Sequence, residues 1–216
     1  MARSSWAILA LVLAVPARAL EDGWTHDVDV STGFGSGTVT AALGEVSAFG
    51  LFGGRLRLGA GPRLLGVFGG DGLAFSTADA DLIAAGRTET FPVSGVRTGA
   101  LNLALSVRVR IVAGLELGAN IDLVGVGFGR TRPVSSGGIQ TEASPPTRNL
   151  LALGRKDQGT LDSEFFVAWW FDERLAIRAG ASHVETELVT AQPLQDGNDR
   201  VRRTSTLFFV AVTFRP

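Results

Sequence analysis

Residues 204–216 read TSTLFFVAVTFRP, and their alternation decides how the rest of the chain is read. Successive side chains of an extended strand point to opposite sides. Phe208, Val210, Val212 and Phe214 therefore share one face, and Phe209, Ala211 and Thr213 share the other. The first face is apolar without interruption.

The same period of two recurs upstream. Residues 98–111, TGALNLALSVRVRI, place Leu101, Leu103, Leu105, Val107 and Val109 on one face. Asn102, Ala104, Ser106, Arg108 and Arg110 take the other. This run is long for a sheet in water and matches the ~9–11 residues of a tilted strand that crosses a bilayer. A turn near 112–113 leads into GLELGANIDLVGVGFG, residues 114–129. There Leu115, Leu117, Ala119, Ile121 and Leu123 oppose Glu116, Asn120 and Asp122. Past Val124 the phase shifts, with Val124, Val126 and Phe128 apolar, which either a bulge or emergence from the membrane would explain. Further strands are predicted at about 24–34, 43–52, 55–68, 165–171 and 174–189.

Short connections fall near 53–54, 112–113 and 172–173. Longer polar or glycine-rich ones fall near 35–42, 70–96, 130–160 and 190–203. Long and short alternate strictly, which gives eight strands with both chain ends on the short-turn side. A β-sandwich has no reason to gather its long loops at one end. Residues 130–160 hold Pro133, Gly137, Gly138, Pro145 and Pro146 among Ser and Thr, which predicts a turn-rich or disordered loop.

The N-terminus carries Arg3, an apolar run over 6–16 and a small-x-small site at Ala17-Arg18-Ala19. This reads as a Sec signal peptide over 1–19, leaving one domain over 20–216. The apolar run is shorter than the ~20 residues of a spanning helix. Yet 45% of the residues are hydrophobic, and mean hydropathy is +0.24. A chain that alternates apolar-out and polar-in is compatible with a membrane at that composition. Removing Arg3 and Arg18 from 20 basic and 21 acidic residues leaves 18 against 21, a net charge of −3. That balance argues against nucleic acid as a partner. The chain has no cysteine, hence no disulfide and no thiolate chemistry, and no tyrosine, so Phe and Trp must supply any interfacial aromatics.

The charged residues fall mostly opposite the aliphatic face. Asp27, Asp29, Glu116, Asp122 and Glu164 are the acids, and Arg55, Arg57, Arg63, Arg108, Arg110, Arg174 and Arg178 the bases. An eight-stranded barrel is just wide enough for side chains to fill, and unpaired buried charge is costly. The expectation is a lumen plugged by ion pairs, which the forked guanidinium of Arg suits. Trp24, Trp169, Trp170, Phe208 and Phe214 are expected in the interfacial girdles and closing strand.

With its signal, hairpin grammar and aromatic-ended last strand, the whole mature chain resembles the small outer-membrane β-barrel proteins of Gram-negative bacteria, of the outer-membrane protein A and X type. The run at 114–129 is similar to the Gly-rich strands of many such barrels. The chain departs from them in one respect, because Arg215 and Pro216 follow the final aromatic that the assembly machinery reads. The resemblance implies an eight-stranded antiparallel up-and-down transmembrane barrel in the outer membrane, with both termini periplasmic. Its partners would be outer-membrane lipids and the barrel assembly machinery, and it would be a monomer without cofactor. The function expected is structural or surface interaction. The alternatives are a small porin-like channel, a lipid A-modifying enzyme and a soluble lipocalin-like carrier. For catalysis only His26 and His183 exist, and His183 adjoins Ser182 on a strand, where neighbours point to opposite faces. No catalytic, cofactor or metal residues are therefore assigned.

Overall fold

The computed structural model describes residues 23–136, 138–152 and 157–216. The expected signal peptide over 1–19 lies outside the described residues. In chain order the strands are β1 (Trp24–Gly35), β2 (Thr38–Leu51), β3 (Leu56–Gly69), β4 (Leu73–Thr77) and β5 (Thr90–Val93), with a one-turn helix α1 (Ala80–Ala84) between the last two. Then come β6 (Arg97–Val112), β7 (Leu115–Gly129), β8 (Arg132–Ser136), β9 (Ile139–Ser144), β10 (Asn149–Leu150), β11 (Leu161–Trp170), β12 (Leu175–Thr190) and β13 (Arg200–Phe214).

Eight long strands close on themselves. The order β1-β2-β3-β6-β7-β11-β12-β13 is antiparallel throughout. β13 returns to β1 from Val28↔Phe214 to Phe34↔Phe208. The chain is thus an all-β, eight-stranded up-and-down barrel, and closure leaves none of the eight long strands as an edge strand. The phase shift past Val124 is a bulge. Leu103 faces Val124 but Ala104 faces Asp122, so Leu123 is the extra residue.

The wall is apolar outside. Val30, Leu43, Leu103, Ile177 and Val212 are between 43% and 58% exposed, and they recur at every second position. Aromatic residues mark both ends of this band. Trp24 meets Phe49 edge-on with ring centroids 5.6 Å apart at the short-turn end, and Phe34 meets Phe208 at 5.5 Å at the long-loop end. Trp24 and Phe34 are ten positions apart on β1. That is ~33 Å along the strand, or ~25 Å along the barrel at a tilt of ~40°.

Two expectations about the connections are corrected. The long loop near 35–42 is a two-residue turn, because Gly35 pairs with Thr38. Ser36 and Gly37 both adopt positive φ (50° and 71°), the tight hairpin turn that matches strand twist. The described residues of the loops at 70–96 and 130–160 form further strands. β4–β5 and β8–β9 are hairpins laid onto the projecting ends of β13 and β12, through Val201↔Thr77 and Val189↔Ser144. Together they form a lobe with its own core of Phe75, Phe91, Val93, Val134, Leu188 and Val201, none more than 2% exposed. Propensity places Gly and Pro in these segments; burial of this second core overrides it.

The turn at Phe171–Arg174 is fixed by Asp172. Its carboxylate accepts from the backbone N–H groups of Arg174 (2.7 Å) and Leu175 (2.8 Å). These donors hold its pKa below the ordinary carboxylate value of 3.8. A depressed folded-state pKa gives stability that is complete above the unfolded pKa and lost as pH falls through the folded one. Asp172→Ala is therefore expected to lower the urea midpoint slightly at pH 7. The difference from wild type should shrink as pH falls through the lowered folded-state pKa. An undiminished difference in acid would overturn the assignment.

Candidate functional site: the filled lumen

Inward positions of the strands converge in the barrel, and the site is built from that parity. Asp27 and Asp29 come from β1, Arg57 and Arg63 from β3, Arg108 from β6, Glu116 and Asp122 from β7, Glu164 from β11 and Arg178 from β12; all are buried. They form layers.

At the short-turn end Asp27 is the hub. Arg108 Nη1 donates to its Oδ2 at 2.7 Å, Arg57 Nη2 at 3.2 Å, and Arg215 Nε donates to Oδ1 at 2.8 Å. Arg57 also lies 3.7 Å from Glu116 and bonds Thr25 Oγ1. Above this layer Asp29 takes Arg108 and Arg178, each at 3.3 Å, and accepts from the Thr213 hydroxyl. Phe166 and Phe209 stand here edge to face at 6.4 Å, with the Arg178 guanidinium 4.4 Å from the Phe166 ring centre, a cation–π contact.

The next layer is centred on one cation. Arg63 reaches Asp122 at 2.8 Å, Glu164 at 3.2 Å and Asp162 at 3.5 Å. Asn102 Nδ2 donates to Asp122 Oδ2 (2.7 Å), Asn120 Nδ2 to Glu164 Oε2 (2.6 Å) and Ser182 Oγ to Asp162 Oδ1 (2.6 Å). Arg178, 3.9 Å from Glu164, links the two layers. Beyond them Leu65, Val67, Ala100, Val184 and Leu207 form an apolar layer across the long-loop end of the lumen. A third ionic group lies above it, where Glu187 binds Arg200 (2.7 Å) and Arg202 (3.2 Å).

Among these groups lies a cavity of about 20 Å³, lined by Asp29, Arg63, Asn120, Glu164 and Arg178. It has room for about one water molecule. Chemically, the lumen binds its own charges to one another.

Three predicted placements need correction. Arg55 and Arg174 are exposed in the turns that precede β3 and β12, so strand parity does not carry them inward. Trp170 is buried in the lumen, where the Arg215 guanidinium stacks 4.1 Å from its ring centre. Trp24, Phe208 and Phe214 face outward, and Trp169 is half-buried on the outward side. Arg110 lies half-buried at the short-turn mouth, opposite Glu116.

Sequence reasoning placed Asn102 and Asn120 on the polar face without assigning them to the network, and missed Asp162 and Arg215. Parity with Glu164 could have found Asp162. The adjacent pairs Phe165-Phe166, Trp169-Trp170 and Phe208-Phe209 also required one ring of each pair to turn inward. His183 faces outward while Ser182 faces the lumen, and the two do not meet. On the outer face of β1, His26 Nδ1 lies 2.9 Å from Ser47 Oγ, a contact between strands that sequence spacing does not show.

No protein-family model matches the chain, and neither does any curated protein sequence. Among solved structures it is similar to Neisserial surface protein A (10% identity, 88% of this chain and 94% of that one, TM-score 0.38). It is also similar to a major outer membrane protein from Thermus thermophilus (12% identity, 90% and 100%, TM-score 0.45). A third is the Pseudomonas putida toluene transporter TodX (10% identity, 95% and 93%, TM-score 0.24).

Proposed function

We propose that the protein is an integral outer-membrane barrel of structural or surface-interaction type, closed to solutes. An apolar outer wall ~25 Å tall between aromatic girdles fits the hydrocarbon layer of an outer membrane. The polar backbone is satisfied by closure, as lipid demands. The observation that carries the non-conducting reading is the stack of buried Arg–carboxylate layers across the lumen, with the apolar layer above them. The ordered lobe at the long-loop end would face the outside, with both termini in the periplasm, and would present the interacting surface. Export would use the N-terminal signal, and the assembly machinery would insert the barrel.

The test joins localisation to conductance. The protein is expected in the detergent-extracted outer-membrane fraction, and its gel mobility should change on boiling, as for folded barrels. Reconstituted in planar bilayers, it should give almost no current at any salt concentration. Steady salt-dependent conductance would establish the small channel instead. Recovery in the soluble periplasmic fraction would overturn the membrane reading altogether.

A further inference from the structure

The outer wall carries a charge where lipid offers no partner. Glu45 sits at the middle of β2 (Thr38–Leu51), is exposed, and points outward between Leu43 and Ser47. Among the described residues its carboxylate has neither a hydrogen bond nor an ion pair. Six positions separate it from Leu51 at one end, ~15 Å along the barrel at ~3.3 Å per residue and ~40° tilt. Seven separate it from Thr38 at the other. This is mid-height in the apolar band. An ionisable group at that depth is costly and normally has a partner.

A base lies on the same strip. β1 and β2 are paired His26↔Ser47 and Val28↔Glu45, so His26 is the diagonal neighbour of Glu45 on the outer face. Between the two aromatic girdles, His26 and Glu45 are the ionisable groups the described strands turn outward; Arg97 and His183 stand at the long-loop end. The wall beside them is low. Ser47, Ala60 and Pro62 occupy outward positions that elsewhere hold Leu, Val or Phe. Small residues let two membrane walls approach closely.

We infer that this strip of β1 and β2 is the interface of a homodimer in the membrane. A patch carrying both an acid and a base is self-complementary, which a two-fold interface requires. An axis parallel to the barrel, running between β1 and β2, sets each Glu45 against His26 of the second copy. The difference in height lies within the combined reach of the two side chains. The buried strip then supplies the carboxylate with an imidazole hydrogen-bond donor inside lipid.

This inference rests on the barrel spanning the membrane, and one experiment separates the two. The natural chain has no cysteine, so a single introduced one reports its own contacts. Val30→Cys lies on the strip, and Val167→Cys lies on β11, across the barrel. Oxidation in isolated outer membranes should convert the first to a species of twice the mass and leave the second monomeric. Adding Glu45→Leu should cut the cross-linked fraction about tenfold, the loss of the two symmetry-related polar contacts in lipid. Exchanging the charges, His26→Glu with Glu45→His, should restore it. Heat-modifiable mobility confirms that each variant is folded. Recovery outside the membrane fraction would sink the membrane reading. A membrane-embedded protein that stays monomeric, or whose Val30→Cys variant links to a different protein, would overturn the homodimer.

Discussion

Asp27→Ala should be among the most damaging single substitutions in the barrel. The change leaves Arg57, Arg108 and Arg215 facing one another without the carboxylate that all three share. Asp27 has no solvent exposure, and Arg57 and Arg108 have 2% or less, so water does little to screen them. Breaking a buried pair by removing one partner costs about 3–5 kcal/mol, because the stranded charge keeps its desolvation penalty. Here three guanidiniums lose their shared partner; Asp29 still pairs with Arg108 and Glu116 with Arg57. The expected result is a urea midpoint far below wild type in refolding from lipid vesicles. Adding Arg57→Met to Asp27→Ala should recover part of the loss, since it removes one of the three cations. An Asp27→Ala protein with a wild-type midpoint would show that the network contributes nothing to stability.

The hub also accounts for the end of the chain. By sequence, Arg215 and Pro216 appear only to trail the final aromatic. In the fold, Phe214 faces outward and strand parity turns the next residue in. Arg215 thus closes the short-turn mouth, bonded to Asp27 and stacked on Trp170. Its backbone N–H is bonded too, to the Arg174 carbonyl at 2.8 Å.

What was legible in the sequence is what a period of two encodes. The wall, the inward placement of Asp27, Arg63 and Arg108, and the bulge after Ile121-Asp122 all follow from counting positions. Parity fails at turns, where the chain leaves the ladder, and this is why Arg55 and Arg174 were misplaced. It is also silent on what a loop does with its apolar residues. Phe75, Phe91 and Val134 belong to short strands separated by up to 59 positions, and only the fold brings them into one core. Glu45 obeys the period and breaks the polarity, a conflict of the kind that marks an interaction site.

Gly61→Ala should show how tightly the wall is drawn at that same point. The β2–β3 ladder runs to Gly44↔Arg63 and resumes at Ser47↔Ala60. It skips the positions where Glu45 and Val46 face Pro62 and Gly61. Proline has no N–H to give a ladder, and here its neighbour strand closes in instead. A Cβ on Gly61 would collide with the Glu45 carbonyl oxygen and stand 3.1 Å from Val46 Cα. These are backbone atoms, so no rotamer change relieves the clash, and the two strands must separate. The expected cost is about 3 kcal/mol or more, at the top of the range for overpacking. It should be read as a lowered urea midpoint and loss of the heat-modifiable band. Gly44→Ala is the matched comparison. It lies on the same pair of strands and also faces the lumen, but its added Cβ would meet nothing closer than 3.8 Å. That variant should keep the wild-type midpoint or exceed it slightly, since Ala loses less backbone freedom than Gly on folding. Equal behaviour of the two would mean that the approach of Glu45 to Gly61 does not constrain the barrel.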